Sequence, residues 1–285
     1  MMFRIIFISL TMIAVFGFKL ANSEASAHPG AQVSCAISDF EKDWQELLAL
    51  EKSLDAGQEV RFLEKLAFMS HAYTGSGKEL YHDSLGSKLV FYADRAMKVF
   101  DSGSDEYLML MTGLHNIFLF PLGTQENASL VARCGSVIKK LSGIVGKAQN
   151  KRNRLEFCTM LYSVYNAEQD YNSALDFVIM KQNLIDRNSN SLEYYYTMTQ
   201  LCGLYADMFR TGKLKDVYAR YMDTETNELY KSNLTLFLVG KCPDQVPATD
   251  LEKAIMLSLT SNEAMAEWEY ACNLLAAANR VDILQ

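Results

Sequence analysis

The sequence predicts an all-α fold built from antiparallel helix pairs. Apolar residues recur at spacings of three and four along most of the chain, which places them on one face of each helix. No stretch alternates apolar and polar residues for long enough to require a β-strand. Only four prolines occur, and none falls between Pro121 and Pro243. Long helices can therefore follow one another without a proline break.

The N-terminal segment 1–27 has the features of a secretory signal peptide. Arg4 supplies the positive start, residues 5–18 form an apolar run, and residues 25–27 (Ala-Ser-Ala) fit a cleavage site. Residues 21–23 offer an alternative cut. The apolar run is shorter than the roughly 17 residues of a spanning helix, which disfavours an uncleaved membrane anchor. We therefore predict an exported protein, either periplasmic or secreted.

The mature chain, residues 28–285, is expected to be a single α-helical domain without stable membrane insertion. It keeps 25 basic and 33 acidic residues, a formal charge of −8. An acidic surface without a basic stripe disfavours nucleic acid and anionic lipid as partners. The C-terminal part, 233–285, is a possible capping helical segment, and its clearest irregular stretch is residues 242–247.

Capping residues and glycines set the predicted helix boundaries in chain order. After an extended lead-in, Ser38 and Glu41 form a capping box that opens the first helix, and Gly57 ends it. Further capping boxes begin at Thr249 and Thr260. The predicted helices cover about residues 38–55, 59–73, 85–100, 106–120, 126–145, 152–167, 171–184, 190–209, 214–230 and 264–278.

The stretch 155–184 is the clearest helix pair. A tight turn at residues 168–170 joins two helices of similar length. Ala174 is small, so we expect it to let the two backbones approach. The core-facing residues come at spacings of three and four on each helix: Cys158, Leu161, Tyr162 and Tyr165 on the first, and Tyr171, Ala174, Leu175 and Val178 on the second.

This pair resembles a tetratricopeptide repeat, with one good unit at about 155–187 and a looser one at about 198–230. With Ala174 on the alanine of the family's second helix, Tyr165 falls on the tyrosine of the first. In the looser unit Val217 takes the alanine's place, 43 residues later, and residues 212–214 make the turn. Tyr162 and Asp186 depart from the pattern. The resemblance implies a right-handed stack of helix pairs, an α-solenoid.

The resemblance also implies a concave groove that binds a protein or peptide. In the family this groove is lined by the first helix of each pair. The matching positions in the first unit are Glu156, Thr159, Ser163 and Asn166. Those in the looser unit are Thr199, Cys202, Ala206 and Phe209, with Arg210 beside them. An asparagine and an arginine on neighbouring helices could hold a peptide carboxylate or backbone. The alternative is that this row is only a solvated face.

All six cysteines lie in the mature chain, and an even count in an exported protein permits disulfides. Their spacing contains no C-x-x-C, so neither zinc nor a thioredoxin-like centre is indicated. Cys242 with Cys272 is the favoured pair because Cys242 lies in the irregular stretch. We expect Cys158 and Cys202 to stay reduced and buried, since a cysteine within an apolar helical run packs as a small hydrophobe.

Other signals for chemistry are weak. Residues 75–78 (Gly-Ser-Gly-Lys) lack the earlier glycine, the following Ser or Thr and the strand of a phosphate-binding loop. His71 and His82 are eleven residues apart across a loop, which disfavours a metal site, and His115 is expected in the core. We therefore predict a non-catalytic binding scaffold without a cofactor or metal. The alternative is a sensor that holds a small molecule between helices.

Overall fold

The structure is a computed structural model that describes residues 29–54, 57–120, 125–188 and 191–260. Within these ranges the chain forms eleven α-helices and no β-strand, which confirms the all-α class. The predicted signal peptide and the predicted closing helix at 264–278 lie outside the described residues. The helices are α1 Pro29–Lys52, α2 Glu59–Tyr73, α3 His82–Val99, α4 Asp105–Leu119, α5 Gln125–Lys139, α6 Lys151–Ala167, α7 Tyr171–Leu184, α8 Ser191–Asp207, α9 Thr211–Thr224, α10 Glu228–Val239 and α11 Ala248–Thr260.

Backbone contacts group the chain into two units, residues 1–62 and 63–285, with the boundary inside α2. In the first unit, α1 begins at Pro29 and already includes the Ser38 capping box. The extended lead-in predicted before Ser38 is therefore wrong. Proline suits the first position of a helix because the N–H that it lacks would be unpaired there. No glycine or proline then interrupts residues 31–52.

In the second unit, polar side chains fix the starts of several helices, as helix N-termini require. The Ser104 hydroxyl accepts a hydrogen bond from the Tyr107 N–H (3.1 Å) at the start of α4. The Asn150 side chain accepts one from the Arg152 N–H (2.9 Å) at the start of α6. Asp170 does the same for Ser173 at the start of α7.

Two consecutive helix pairs share the same dimensions at an offset of 40 residues. The first helices, α6 and α8, each have 17 residues, and the second helices, α7 and α9, each have 14. Every start and end in the second pair lies 40 residues after its counterpart in the first. The two pairs, α6–α7 and α8–α9, therefore match in helix length and in spacing along the chain.

The turns inside the two pairs are also equivalent. Gln169 and Phe209 both adopt the left-handed conformation, with φ of 63° and 55°. The N–H groups that follow, of Asp170 and Arg210, bond to the carbonyls of Tyr165 and Tyr205 at 2.9 and 2.8 Å. This is the Schellman ending of a helix, in which a left-handed residue lets the chain fold back onto the last turn.

These turns correct the alignment of the looser unit. The predicted turn at residues 212–214 is wrong, because residues 211–224 already form α9 and the turn lies at Phe209. The structural offset is therefore 40 residues rather than 43, and Ala174 corresponds to Leu214 rather than Val217. Gly212 is a helical residue and has no heavy atom within 4 Å of a built Cβ.

The helix predicted at 214–230 is in fact two helices. Helix α9 ends at Thr224 and α10 begins at Glu228. The buried Glu225 carboxylate accepts hydrogen bonds from the N–H groups of Thr226 and Asn227 at 2.8 and 2.9 Å. The Asn227 side chain in turn caps α10 by accepting from Leu229 and Tyr230. These short-range bonds stop one helix and start the next within three residues.

Ala174 is fully buried in α7, where the helix packs against its neighbours. We expect Ala174→Leu to lower the free energy of unfolding by on the order of 1–3 kcal/mol, because the added atoms overpack the interface. The neighbouring Asn172 is exposed, so Asn172→Leu should cost much less. Chemical denaturation of the two variants checks this. Equal losses would contradict the packing of α7 described here.

Candidate functional site

The predicted binding row on α6 is only partly available to a ligand. Glu156 is exposed, and Thr159, Ser163 and Asn166 are half-buried. The Thr159 hydroxyl donates to the Leu155 carbonyl at 3.1 Å, and the Ser163 hydroxyl donates to the Thr159 carbonyl at 2.9 Å. Both hydroxyl protons are thus engaged within the helix. Thr159 and Ser163 therefore have little left to offer a partner.

Few of the positions predicted for the looser unit lie as expected. The Thr199 hydroxyl donates to the Tyr195 carbonyl at 3.0 Å, and Cys202 is fully buried. Arg210 lies in the turn between α8 and α9 rather than on α8. Its guanidinium donates to the Asn172 side-chain oxygen at 3.1 Å and so connects the turn to α7.

With the 40-residue offset, the α8 counterparts of the α6 row are Tyr196, Thr199, Gly203 and Ala206. Gly203 is buried, and a Cβ built on it lies 3.1 Å from the Phe237 ring of α10. The α8 face is therefore packed where the α6 face is polar. The row of polar residues does not continue from one pair to the next.

A second candidate is an open cleft between α9, α10 and α11, with a volume of about 700 Å³. We call it the α9–α11 cleft. Both signs of charge lie along it, together with two methionines, of which Met256 is 60% exposed. Its lining includes Tyr218, Met222, Asp223, Glu228, Lys231, Thr235, Asp250, Lys253 and Met256.

Hydrogen bonds between residues that line this cleft connect its three helices. The Tyr218 hydroxyl on α9 lies 2.9 Å from the Thr235 hydroxyl on α10 and donates to the Asp250 carboxylate on α11 at 3.2 Å. Burial raises the pKa of Tyr218, so its phenol stays protonated and can act as a donor. The Asp250 carboxylate therefore serves a contact between helices. These bonds hold the three helices that form the cleft in fixed positions before any partner binds.

The rim of the cleft offers groups for polar recognition. Lys231 forms an ion pair with Glu228 at 3.0 Å, and Asp223 and Lys253 are exposed. Methionine side chains are flexible and polarisable, and they adapt to different apolar partners. No sequence motif marks this cleft, because its residues come from three helices. Exposed Met256 on the outward face of an amphipathic helix is the one signal that could have indicated it.

A buried ion pair lies between α7 and α8. Lys181 is only 2% exposed, and its ammonium lies 2.5 Å from the Glu193 carboxylate, which is about one-third exposed. Nearby, the Arg187 guanidinium lies over the Tyr194 ring, which stacks on Tyr221. Each charged group here is engaged by protein groups. This cluster is therefore part of the packing between the pairs.

The histidines do not form a common site. His71 is exposed at the end of α2, and His82 is buried with its Nε2 3.1 Å from the Thr74 carbonyl oxygen. His115 is buried in α4, and burial lowers its pKa to about 4, so it is neutral at pH 7. Among the residues that the structure describes, no cluster of histidines, cysteines and carboxylates could hold a metal ion.

Among the cysteines whose side chains the structure describes, four are free thiols: Cys134, Cys158, Cys202 and Cys242. The first three are buried, as the sequence predicted for Cys158 and Cys202. Burial raises the pKa of Cys158 to about 11 and that of Cys202 to about 12. Cys272 lies outside the described residues, so a Cys242–Cys272 bridge stays a prediction.

Comparison of the chain with protein-family models, curated proteins and solved structures finds no match. Across the described ranges, no helix has both the length and the apolar character needed to cross a bilayer.

Proposed function

We propose that this protein is an exported, non-catalytic scaffold that binds a segment of a partner protein. The observation that carries the proposal is the open α9–α11 cleft, in which charged groups of both signs surround exposed methionine. Such a surface suits an amphipathic peptide segment, whose apolar side chains contact Met256 while its charged groups meet the rim. The repeated helix pairs and the resemblance to tetratricopeptide repeats support the same class of function. The fold alone permits many others.

A small-molecule sensor is the second candidate. That function would be favoured by an enclosed apolar pocket around His71 and His115. Ligand pockets of this kind bury most of the surface of a small molecule. The α9–α11 cleft is open and has a charged rim, which favours a peptide over a small apolar ligand.

The α6 row remains part of the proposal as a secondary contact. Glu156 is exposed and Asn166 is half-buried on α6, and both are polar side chains that could extend the contact of a bound segment. Asn166→Ala and Arg210→Ala, singly and together, test the groove implied by the resemblance. Unchanged binding by the double variant would assign the interaction to another surface.

The cleft itself can be tested with a pair of matched variants. Immobilised full-length mature chain captures partners from an extract of its native compartment, and bound proteins are quantified by mass spectrometry. We expect the cleft variant Lys253→Glu/Met256→Ser to lose at least about tenfold of a specific partner, the equivalent of 1.4 kcal/mol. Both residues are exposed, so stability should change by less than about 0.5 kcal/mol.

The control for this experiment is Leu80→Ser/Lys215→Glu. Leu80 is 72% exposed, Lys215 is exposed, and neither lines the cleft. The control should retain the partner at the level of the unaltered chain. A partner set that is the same for all three proteins would contradict the proposal that this cleft is the binding site.

A further inference from the structure

Two cysteines lie where α8 meets the end of α10. The absence of a side chain at Gly203 lets the Phe237 ring approach, and a built Cβ there is also 3.8 Å from the Lys241 Cε. One turn further along α8, the Asp207 carboxylate forms an ion pair with the Lys241 ammonium at 2.6 Å. These contacts hold residues 203–207 against residues 237–241. In the sequence, Cys202 directly precedes Gly203 and Cys242 directly follows Lys241.

The two thiols belong to the same packed region. Cys202 is fully buried within the core formed by α7–α11, and Cys242 is half-buried and packs against that core. Burial is the main cause of the raised pKa of Cys202, and a charge on Cys242 raises this pKa further. Cys242 follows directly after α10 and its short turn, and its N–H bonds to the Leu238 carbonyl.

We propose that Cys202 and Cys242 form a disulfide when the protein meets a disulfide oxidant. This differs from the expectation that Cys202 stays reduced and that Cys242 pairs with Cys272. The reason is spatial, because Lys241, the neighbour of Cys242, contacts α8 at Gly203 and Asp207. The bond would join α8 to the chain segment that follows α10, and neither cysteine lines the α9–α11 cleft.

The reaction is an ordinary thiol–disulfide exchange. The half-buried Cys242 loses its proton to water, and its thiolate attacks a sulfur of oxidised glutathione. This forms a mixed disulfide and releases one glutathione thiolate. The Cys202 thiolate then attacks the Cys242 sulfur and displaces the second glutathione. Two protein thiols are oxidised, one glutathione disulfide is reduced to two thiols, and the protein loses two hydrogen atoms.

The rate of this exchange should depend on pH. Burial raises the pKa of both thiols, that of Cys202 to about 12, so only a small fraction is thiolate near neutral pH. The thiolate is the attacking species. Bridge formation should therefore accelerate about tenfold for each pH unit between 7 and 8.5, provided that the fold is unchanged.

Tryptic mapping of the full mature chain distinguishes the possible bridges. Trypsin places Cys202 in residues 188–210, Cys242 in residues 242–253 and Cys272 in residues 254–280. After incubation with oxidised glutathione, non-reducing mass spectrometry should find the first two peptides linked. The bridge should raise Tm by about 5–10 °C, because it closes a loop of 40 residues.

Cys272→Ala is the informative control, because it leaves the proposed pair intact. This variant should form the 202–242 bridge at the rate of the unaltered chain, and Cys242→Ala should abolish it. The inference is overturned if peptide 242–253 is linked to 254–280. It is also overturned if both thiols remain alkylatable after prolonged oxidation of the folded chain. Neither result bears on peptide binding in the cleft.

Discussion

Gly113→Ala is expected to destabilise the fold by about 3 kcal/mol or more. Gly113 in α4 is buried, and a Cβ built there lies 2.4 Å from the Ser70 Cβ and 3.2 Å from the Ser70 backbone carbon. Ser70 cannot move easily, because its hydroxyl bonds to the carbonyls of Ala67 and Met109 at 2.7 and 2.9 Å. The two helices must therefore separate. Thermal unfolding should show Tm lowered by roughly 6–12 °C.

Two further variants identify the cause of that loss. Gly212→Ala adds the same methyl group at an exposed helical position and should leave Tm unchanged or slightly raised. Ser70→Gly in the Gly113→Ala background removes the opposing Cβ and should recover part of the lost stability relative to the single variant. If the double variant is as unstable as the sum of the two single changes, the contact described here is not the cause.

Glu193→Gln should lower the free energy of unfolding by about 2–3 kcal/mol. The substitution keeps the shape of the side chain but removes the charge that neutralises Lys181, which is almost completely buried. An uncompensated buried ammonium is costly because the protein interior solvates it poorly. This effect is smaller than the roughly 3–5 kcal/mol usual for breaking a buried ion pair, because Glu193 is partly exposed to solvent. Urea denaturation at pH 7 measures it.

Lys181→Met provides the matched comparison. Methionine has a similar length and no charge to solvate, so this change should cost less than about 1.5 kcal/mol. The double variant Lys181→Met/Glu193→Gln should then be more stable than Glu193→Gln alone. Additive losses across this double-mutant cycle would show that the two charges do not stabilise one another in the folded protein.

Local sequence determines much of this fold. The bounds predicted for α2, residues 59–73, are those of the structure, and the turn at 168–170 lies where the sequence placed it. Both depend on short-range features, the apolar spacing in α2 and the capping carboxylate of Asp170. Such features act within one or two helical turns, so the chain around them has little influence.

The errors arise where a local signal has more than one meaning. Gly212 resembled a turn residue, but the left-handed position is occupied by Phe209, and Gly212 lies in a helix. The sequence did not predict the interruption between α9 and α10 at residues 225–227. Glutamate and asparagine are also common within surface helices, so Glu225 and Asn227 gave no clear stop signal. Only their bonds to the backbone show that they end α9 and cap α10.

The candidate site was less accessible to sequence reasoning than the fold. Tyr218, Thr235 and Asp250 are separated by up to 32 residues, and they meet because three helices converge. The spacing of residues along a single helix cannot predict a contact between side chains from three helices. The predicted α6 row was identifiable because its members lie on a single helix. The row does not continue on α8 even at the 40-residue offset, because its counterpart there includes Gly203, which packs against the Phe237 ring of α10.

The left-handed turns at Gln169 and Phe209 affect how well this protein can tolerate future mutations. A side chain other than glycine in this conformation costs roughly 1–2 kcal/mol, and Phe209 is in addition 88% exposed to water. A glycine at either turn would give back part of that cost, less the larger entropy that glycine loses on folding. Substitution by glycine at these two positions could therefore raise the free energy of unfolding. Such a gain can offset later mutations that change function at the expense of the core.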